Sequence, residues 1–200
     1  MTPMRLYHVP NTRSTRVLWL LEEIGAPYDL TLMTGDERRG EEHASRHPLG
    51  RVPVVEDEEG FVFESLAILL HIADLHPEAG MIPPAGSHDR ALAYQWSVFA
   101  MTELEPAVLE VFRARRAEDN DRIGAARTDF RDAAAVVENA LDRFEYLVGD
   151  AFAVADLIMA AVLIFGRRAE LTDGLPTIAA YLERIESRPA RQRAVAVGNS

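Results

Sequence analysis

The sequence predicts a mixed α/β domain followed by an all-α domain. Strand patterns alternate with helix patterns only before about residue 78, and beyond about residue 88 the strand patterns disappear. Between these regions, residues 79–87 include Pro83, Pro84 and Gly86, a composition typical of a linker. We therefore expect domains at residues 1–78 and 88–200, joined by residues 79–87.

The first domain is predicted to open with a β-α-β unit. Residues 4–9 have the pattern of a short strand, and residues 17–24 carry apolar side chains at helical spacing. Gly25 is the expected C-terminal cap of that helix. Residues 28–32 form the second predicted strand, and the polar residues 34–47 predict a loop with a short helix.

Two further strands are predicted at residues 52–56 and 61–63, joined by an acidic turn that ends in Gly60. An apolar helix is expected to start at Glu64 and Ser65. The order β-α-β, loose helix, β-β-α fits a thioredoxin-like domain. Because crossover connections are right-handed, the first two strands should be parallel neighbours.

The second domain is predicted to consist of helices alone. Long helical patterns cover residues 91–116, 123–148 and 154–168, and a further helix follows Pro176. Pro106 should kink the first of them, because proline cannot donate the hydrogen bond that a helix interior requires. The third pattern is apolar throughout its middle, which places it at the centre of the domain.

Composition excludes several classes of function. The formal net charge of −11 argues against a nucleic-acid partner and against binding to an anionic membrane. All basic residues other than histidine are arginine, and the chain has no cysteine, so no thiolate metal site or redox pair is possible. No histidine spacing suggests a metal site. With no signal sequence or spanning apolar run apparent, a cytoplasmic protein is expected.

One stretch combines an interrupted strand edge with a helix start. Gly50 permits a tight bend, and Pro53 stands within a strand pattern where it cannot donate to a neighbouring strand. An X-Pro bond at this point also permits a cis peptide. Ser65 then begins a helix, whose first backbone N–H groups attract anions. This combination suits a small peptide with a carboxylate end.

The same stretch resembles the glutathione-site signature of the cytosolic glutathione S-transferases. Residues 47–54 (HPLGRVPV), followed by Glu64-Ser65, match that signature, with His47 in place of the usual asparagine. The opening strand, residues 11–14 and the helix behind them are similar too, and the resemblance extends over essentially the whole chain. It is closest to bacterial, cysteine-less members of the Ser/Thr type.

The resemblance implies that six residues bind glutathione: Arg13, Arg51, Val52, Pro53, Glu64 and Ser65. It assigns the ligand's α-ammonium to Glu64 and its α-carboxylate to Ser65. The backbone of Val52 would pair with the cysteinyl part, held outward by Pro53. Arg51 or Arg13 would bind a carboxylate of the ligand, with the glycyl carboxylate as the candidate.

The thiol of glutathione is expected near the junction of the first strand and helix. A thiol with a pKa of about 8.5 needs hydrogen-bond donors or a helix N-terminus to form a thiolate at neutral pH. The candidates are Thr12, which stands four residues before Arg16 as in serine-type members, and the rivals Asn11 and Ser14. The alternative is that these residues only cap the helix. Tyr7 is expected to be a packing residue.

The implied function is conjugation of glutathione thiolate to small electrophiles by a cytoplasmic homodimer, a detoxification activity. Glutathione would be the co-substrate, and neither a metal, nucleic acid nor a membrane is expected as a partner. Two alternatives remain open at this point. One is a glutathione-dependent peroxidase or disulfide reductase on the same fold, and the other is a non-catalytic glutathione-binding or regulatory protein.

Overall fold

The structure is a computed structural model that describes residues 3–198. It contains two compact units. The first comprises the chain up to Ile82 together with the chain from Ser187 onward, and the second comprises Pro83–Glu186. No helix among the described residues combines the length and the hydropathy that crossing a bilayer requires.

The first unit is built on a four-stranded mixed sheet. Its strands are β1 (Met4–His8), β2 (Tyr28–Leu32), β3 (Val54–Glu56) and β4 (Phe61–Phe63). They lie in the order β2-β1-β3-β4, with β1 parallel to β2 and the other neighbours antiparallel. The predicted parallel pair and the thioredoxin-like order are therefore confirmed.

The helices follow the predicted alternation and then continue alone. They are α1 (Ser14–Ile24), α2 (Glu41–Ala44), α3 (Ser65–Leu75), α4 (His88–Phe99), α5 (Glu105–Arg116), α6 (Asn120–Leu141), α7 (Val154–Arg167), α8 (Pro176–Glu186) and α9 (Pro189–Gly198). In the first unit, α1 packs against β1, α3 and α9. A thioredoxin-like domain followed by helices is thus the observed fold class.

The compact units differ from the predicted domain boundaries at the C-terminal end. Helix α9 was expected in the all-α domain, but it packs along α1 in the first unit. Arg188 forms a two-pronged ion pair with Glu23 at 2.7 and 2.8 Å, and Arg193 reaches Glu22 at 2.7 Å. These contacts join residues more than 160 positions apart, which helical periodicity cannot reveal.

Two helical predictions for the second unit need correction. The first long pattern is interrupted by a π-helical turn at Ala100–Leu104, immediately before Pro106, and not simply kinked at the proline. The second ends at Leu141 instead of continuing to residue 148. Beyond the helix, the backbone N–H of Leu147 donates to the buried carboxylate of Asp156 at 2.9 Å.

Asp156 ties the start of α7 to the segment before it. One carboxylate oxygen accepts from Leu147 and from the Tyr181 hydroxyl at 3.0 Å, and the other accepts from the N–H of Ala153 at 3.1 Å. Ala153 has no side-chain acceptor, so only this half of a capping box is made. Burial raises the pKa of Asp156 to about 6, against the lowering effect of these hydrogen bonds.

Candidate active site

A cleft on the first unit brings together the start of α3, the segment before β3 and the loop before α1. The cleft is open to solvent. Its lining consists of Arg13, His47, Arg51, Val52, Pro53, Glu64 and Ser65. All six residues predicted to bind glutathione are therefore placed around one cleft, together with one residue that was not predicted.

Ser65 presents an unsatisfied hydroxyl at this cleft. The residue is only 1% exposed, and its Oγ has no hydrogen-bond partner within residues 3–198. It is the first residue of α3, a helix of 11 residues whose opening N–H groups carry a partial positive charge. Because a buried hydroxyl without a partner costs about 1–3 kcal/mol, this arrangement favours an anionic ligand.

Glu64 holds an unusual backbone conformation beside that hydroxyl. Its φ of 72° and ψ of 113° are disfavoured for a residue with a side chain, and they turn the chain sharply from β4 into α3. Such a conformation costs about 1–3 kcal/mol and persists where the surrounding structure or a function requires it. The exposed carboxylate gives the cleft an acceptor for a ligand ammonium group.

The sheet's hydrogen bonding stops just before the cleft. Strand β3 pairs with β1 and with β4 only from Val54 onward, so the backbone of Val52 lies outside both ladders. The peptide bond between Val52 and Pro53 is cis, and both residues are buried. The cleft therefore has a short backbone edge of the kind that an extended peptide can pair with.

Two arginines and one glutamate give the cleft its charge pattern. Arg13 and Arg51 both line it, opposite in sign to Glu64. The backbone carbonyl of Arg51 accepts a hydrogen bond from His43 Nε2 at 2.8 Å, which fixes the loop that carries the guanidinium. Two cationic groups and one anionic group are complementary to a peptide with two carboxylates and one ammonium.

His47 is the lining residue that sequence reasoning did not assign. It is 3% exposed, its ring lies 4.8 Å from the ring of Phe63, and its Nδ1 accepts from the N–H of Leu49 at 3.0 Å. Burial lowers the pKa of His47, while the charge of Glu64 opposes that shift. The neutral ring consequently carries its hydrogen on Nε2. The sequence signal that could have identified His47 is its position as the first residue of the signature at residues 47–54.

The three residues predicted to contact the thiol are not among those that line the cleft. Asn11 is exposed with φ at 59°, and Thr12 is half-buried next to the lining residue Arg13. Ser14 is completely buried, and its hydroxyl lies 2.7 Å from His8 Nδ1. Ser14 consequently cannot contact a bound thiol without a rearrangement, because its side chain is enclosed between β1 and α1.

The expectation that these side chains only cap α1 also needs revision. The N-cap position of α1 is occupied by Arg13, whose side chain makes no capping hydrogen bond. Instead, Thr12 Oγ1 lies 2.7 Å from both the Val9 carbonyl and Ser14 Oγ. The Thr12 hydroxyl also accepts from the N–H of Ser14 at 3.3 Å, so it caps the first N–H of the helix while the cluster as a whole is bonded to β1.

Comparison with known proteins gives the family. The sequence model described as "Glutathione S-transferase, N-terminal domain" matches residues 2–74, and the one described as "Glutathione S-transferase, C-terminal domain" matches residues 98–189. The chain therefore belongs to the glutathione S-transferase family. The first match includes every residue that lines the cleft.

Individual relatives agree with that assignment. The chain is 33% identical to Glutathione S-transferase 4 of Zea mays over 90% of this chain and 85% of that protein. It is 27% identical to Glutathione S-transferase GstA of Escherichia coli over 96% of this chain and 97% of that protein.

Solved structures give the same fold. A glutathione transferase from Methylococcus capsulatus superposes with a TM-score of 0.87 at 28% identity, covering 98% of each chain. A sphingomonad glutathione S-transferase solved in complex with glutathione also gives a TM-score of 0.87, at 27% identity and 98% coverage of each chain. The predicted family, fold class and enzyme class are thus confirmed.

The structure also bears on metal binding. Within residues 3–198, no group of three or more histidine, aspartate or glutamate side chains is arranged to hold a metal ion. The side chains that line the cleft supply one hydroxyl, two guanidinium groups, one imidazole and one carboxylate.

Proposed function

We propose that the cleft binds glutathione and that the enzyme transfers its thiolate to small electrophiles. The observation that carries the proposal is the buried, unpartnered hydroxyl of Ser65 at the start of α3, directly after the strained Glu64. The α-carboxylate of the γ-glutamyl end would accept from the Ser65 hydroxyl and backbone. Glu64 would accept from the α-ammonium group.

The remaining contacts follow from the charge and the backbone edge of the cleft. The cysteinyl part of glutathione would pair with the free backbone of Val52, and Arg13 or Arg51 would bind the glycyl carboxylate. Titrating glutathione into the protein by calorimetry tests the binding site. Ser65→Ala should weaken binding by about 1–3 kcal/mol, which is roughly a 5- to 150-fold rise in the dissociation constant.

A matched control is available in the same unit. Ser45 is exposed, and its hydroxyl donates to the Glu42 carbonyl at 2.7 Å, away from the cleft lining. Ser45→Ala should leave the dissociation constant unchanged. Equal affinity of Ser65→Ala and the parent protein would remove the anion-binding assignment.

We infer that Asn11 or Thr12 supplies the group nearest the thiol. Thr12 carries a hydroxyl and is adjacent to the cleft-lining Arg13, which supports it over the fully buried Ser14. Neither assignment requires a cysteine or a metal. A generic electrophile assay with Thr12→Ala and Asn11→Ala would show which substitution lowers kcat.

A homodimer in the cytoplasm is the proposed state in which this activity operates. Several large apolar side chains of the first unit are exposed, among them Leu49 at 63%, Phe61 at 43% and Phe63 at 40%. Phe61 and Phe63 are two residues apart in β4 and therefore share one face of the sheet, and contiguous exposed apolar surface is typical of association sites. Detoxification of small electrophiles would be the physiological role.

A further inference from the structure

A chain of hydrogen bonds runs from the proposed thiol site into the protein interior. Thr12 Oγ1 lies 2.7 Å from Ser14 Oγ, and Ser14 Oγ lies 2.7 Å from Nδ1 of His8. His8 and Ser14 are both 0% exposed. The chain ends at the last helix, because Nε2 of His8 lies 3.1 Å from the carbonyl oxygen of Gly198 in α9.

The partners of His8 determine where its hydrogen lies. A carbonyl oxygen can only accept, so the contact with Gly198 requires a hydrogen on Nε2. Burial lowers the pKa of His8, while the Gly198 carbonyl raises it, and the net direction is downward. The ring is therefore neutral at neutral pH, with a bare Nδ1 that accepts from the hydroxyl of Ser14.

Because the Ser14 hydroxyl donates to His8, the direction of the hydrogen bonds around Ser14 and Thr12 is also determined. With its hydrogen directed at His8, Ser14 Oγ can accept from the N–H of Val9 at 3.1 Å and from the hydroxyl of Thr12. The Thr12 hydroxyl has the Val9 carbonyl, also at 2.7 Å, as a second acceptor. Thr12 Oγ1 also accepts from the backbone N–H of Ser14 at 3.3 Å, which leaves one lone pair to accept a proton from the ligand.

Helix α9 is held close enough to make this arrangement possible. A Cβ at Gly198 would lie 3.0 Å from His8 Nε2 and 3.1 Å from a methyl group of Leu18, so a larger residue would force its neighbours to shift by a few tenths of an ångström. Ion pairs of Arg188 and Arg193 with α1 fix the same helix. The end of α9 consequently closes the far side of the His8 ring.

We propose that His8 is the acceptor of the glutathione thiol proton, which reaches it through Thr12 and Ser14. The inference rests on the proposed function, because it requires the thiol to lie against Thr12. Thr12 touches the substrate, whereas His8 and Ser14 act through it and are positioning residues. No assignment made from the sequence gives His8 a role.

The proton balance of the transfer is closed. The S–H bond breaks and its proton goes to Thr12 Oγ1, the Thr12 proton goes to Ser14 Oγ, and the Ser14 proton goes to His8 Nδ1. The products are a thiolate and an imidazolium, with no electron gained or lost. The imidazolium persists at about pH 7 because the negative charge of the thiolate raises the pKa of His8 against the effect of burial. After the transfer, each hydrogen bond of the series from His8 to the ligand is reversed. The Thr12 hydroxyl therefore donates to the thiolate, which forms a charge-assisted hydrogen bond.

A measurement on the parent protein tests the relay without any substitution. At about pH 7 free glutathione is mostly a thiol, so binding as thiolate must dispose of a proton. Ultraviolet absorbance counts the thiolate formed, and calorimetry in buffers of different ionisation enthalpy counts the protons released. The relay predicts thiolate formation with almost no proton release. One proton released to buffer for each thiolate would overturn it.

A matched pair of variants gives the second test. His8→Asn keeps an acceptor on Cγ where Nδ1 stands, but it has no basic nitrogen. The pKa of the bound thiol should rise by about one unit, so the ratio of thiolate to thiol at about pH 7 should fall roughly tenfold. His88→Asn, at an exposed histidine of the second unit, should change neither this ratio nor the proton count.

The outcomes separate this inference from the proposed function. An unchanged thiolate fraction and proton count in His8→Asn would overturn the relay, while glutathione binding itself would stand. Absence of any glutathione binding by the parent protein would remove the proposed function, and with it the relay. Reduced thiolate in His8→Asn, together with glutathione affinity within a few-fold of the parent's, supports both.

Discussion

The backbone of Glu64 gives the sharpest test of how the cleft is built. At φ 72° and ψ 113° a side chain costs about 1–3 kcal/mol, whereas glycine adopts positive φ freely. Ordinarily glycine is less stable than alanine by about 0.5–1 kcal/mol, because it loses more backbone entropy on folding. At this position the strain should outweigh the entropy.

The comparison to make is therefore Glu64→Gly against Glu64→Ala. Neither variant has the carboxylate, so their difference isolates the backbone. The strain relieved minus the entropy lost leaves Glu64→Gly more stable by roughly 0.5–2 kcal/mol. Chemical unfolding monitored by circular dichroism measures this difference. Greater stability of the alanine variant would refute the view that the residue is strained.

Both variants should also lose glutathione affinity, because both lack the acceptor for the α-ammonium group. A hydrogen bond to a charged group is worth about 1.5–3 kcal/mol, so the dissociation constant should rise at least tenfold. A stabilised Glu64→Gly that no longer binds would show that the strain serves the site. Unaltered binding in both would assign Glu64 no part in recognition.

Three further predictions concern the rest of the chain. Asp156→Ala should lower the free energy of unfolding by about 2–5 kcal/mol, because Leu147, Ala153 and Tyr181 lose their shared acceptor, and an unfolding titration with no loss would contradict this. Because the pKa of Asp156 is raised to about 6, its contribution is fully present below about pH 3.8 and is lost as pH rises through 6. Over that pH range, the free energy of unfolding of the parent should therefore fall by about 3 kcal/mol relative to that of Asp156→Asn. A stability difference between the two proteins that does not change with pH would contradict the raised pKa of Asp156. Leu49→Glu should shift the mass measured by light scattering from dimer towards monomer. A parent protein that is itself monomeric would contradict the proposed homodimer.

The cleft could be predicted from the sequence because its residues are local in the chain. Gly50, Pro53 and Ser65 each act through their own backbone or helix position, so residue type alone indicates a bend, an interrupted strand edge and a helix start. The strained conformation of Glu64 gives no such signal, because glutamate is not typical of positive φ. His47 lines the cleft because its ring packs against Phe63. This contact joins two separate segments of the chain, so residue type alone did not indicate it.

The thiol site and α9 were less predictable because their partners are distant. A serine before a helix usually caps it. Ser14 instead donates to His8, which is a buried acceptor only because α9 returns to close over it with Gly198. Likewise, the ion pair of Glu23 with Arg188 places α9 in the first unit, although its sequence resembles the helices that precede it.

The most direct test of the transferase activity is the rate at which the protein conjugates glutathione to a chlorodinitrobenzene. The proposed site predicts a rate that saturates with glutathione, falls at subsaturating glutathione in Ser65→Ala, and is unchanged in Ser45→Ala. A rate in the parent protein equal to that of the uncatalysed reaction, measured with glutathione bound, would contradict the assignment of a transferase.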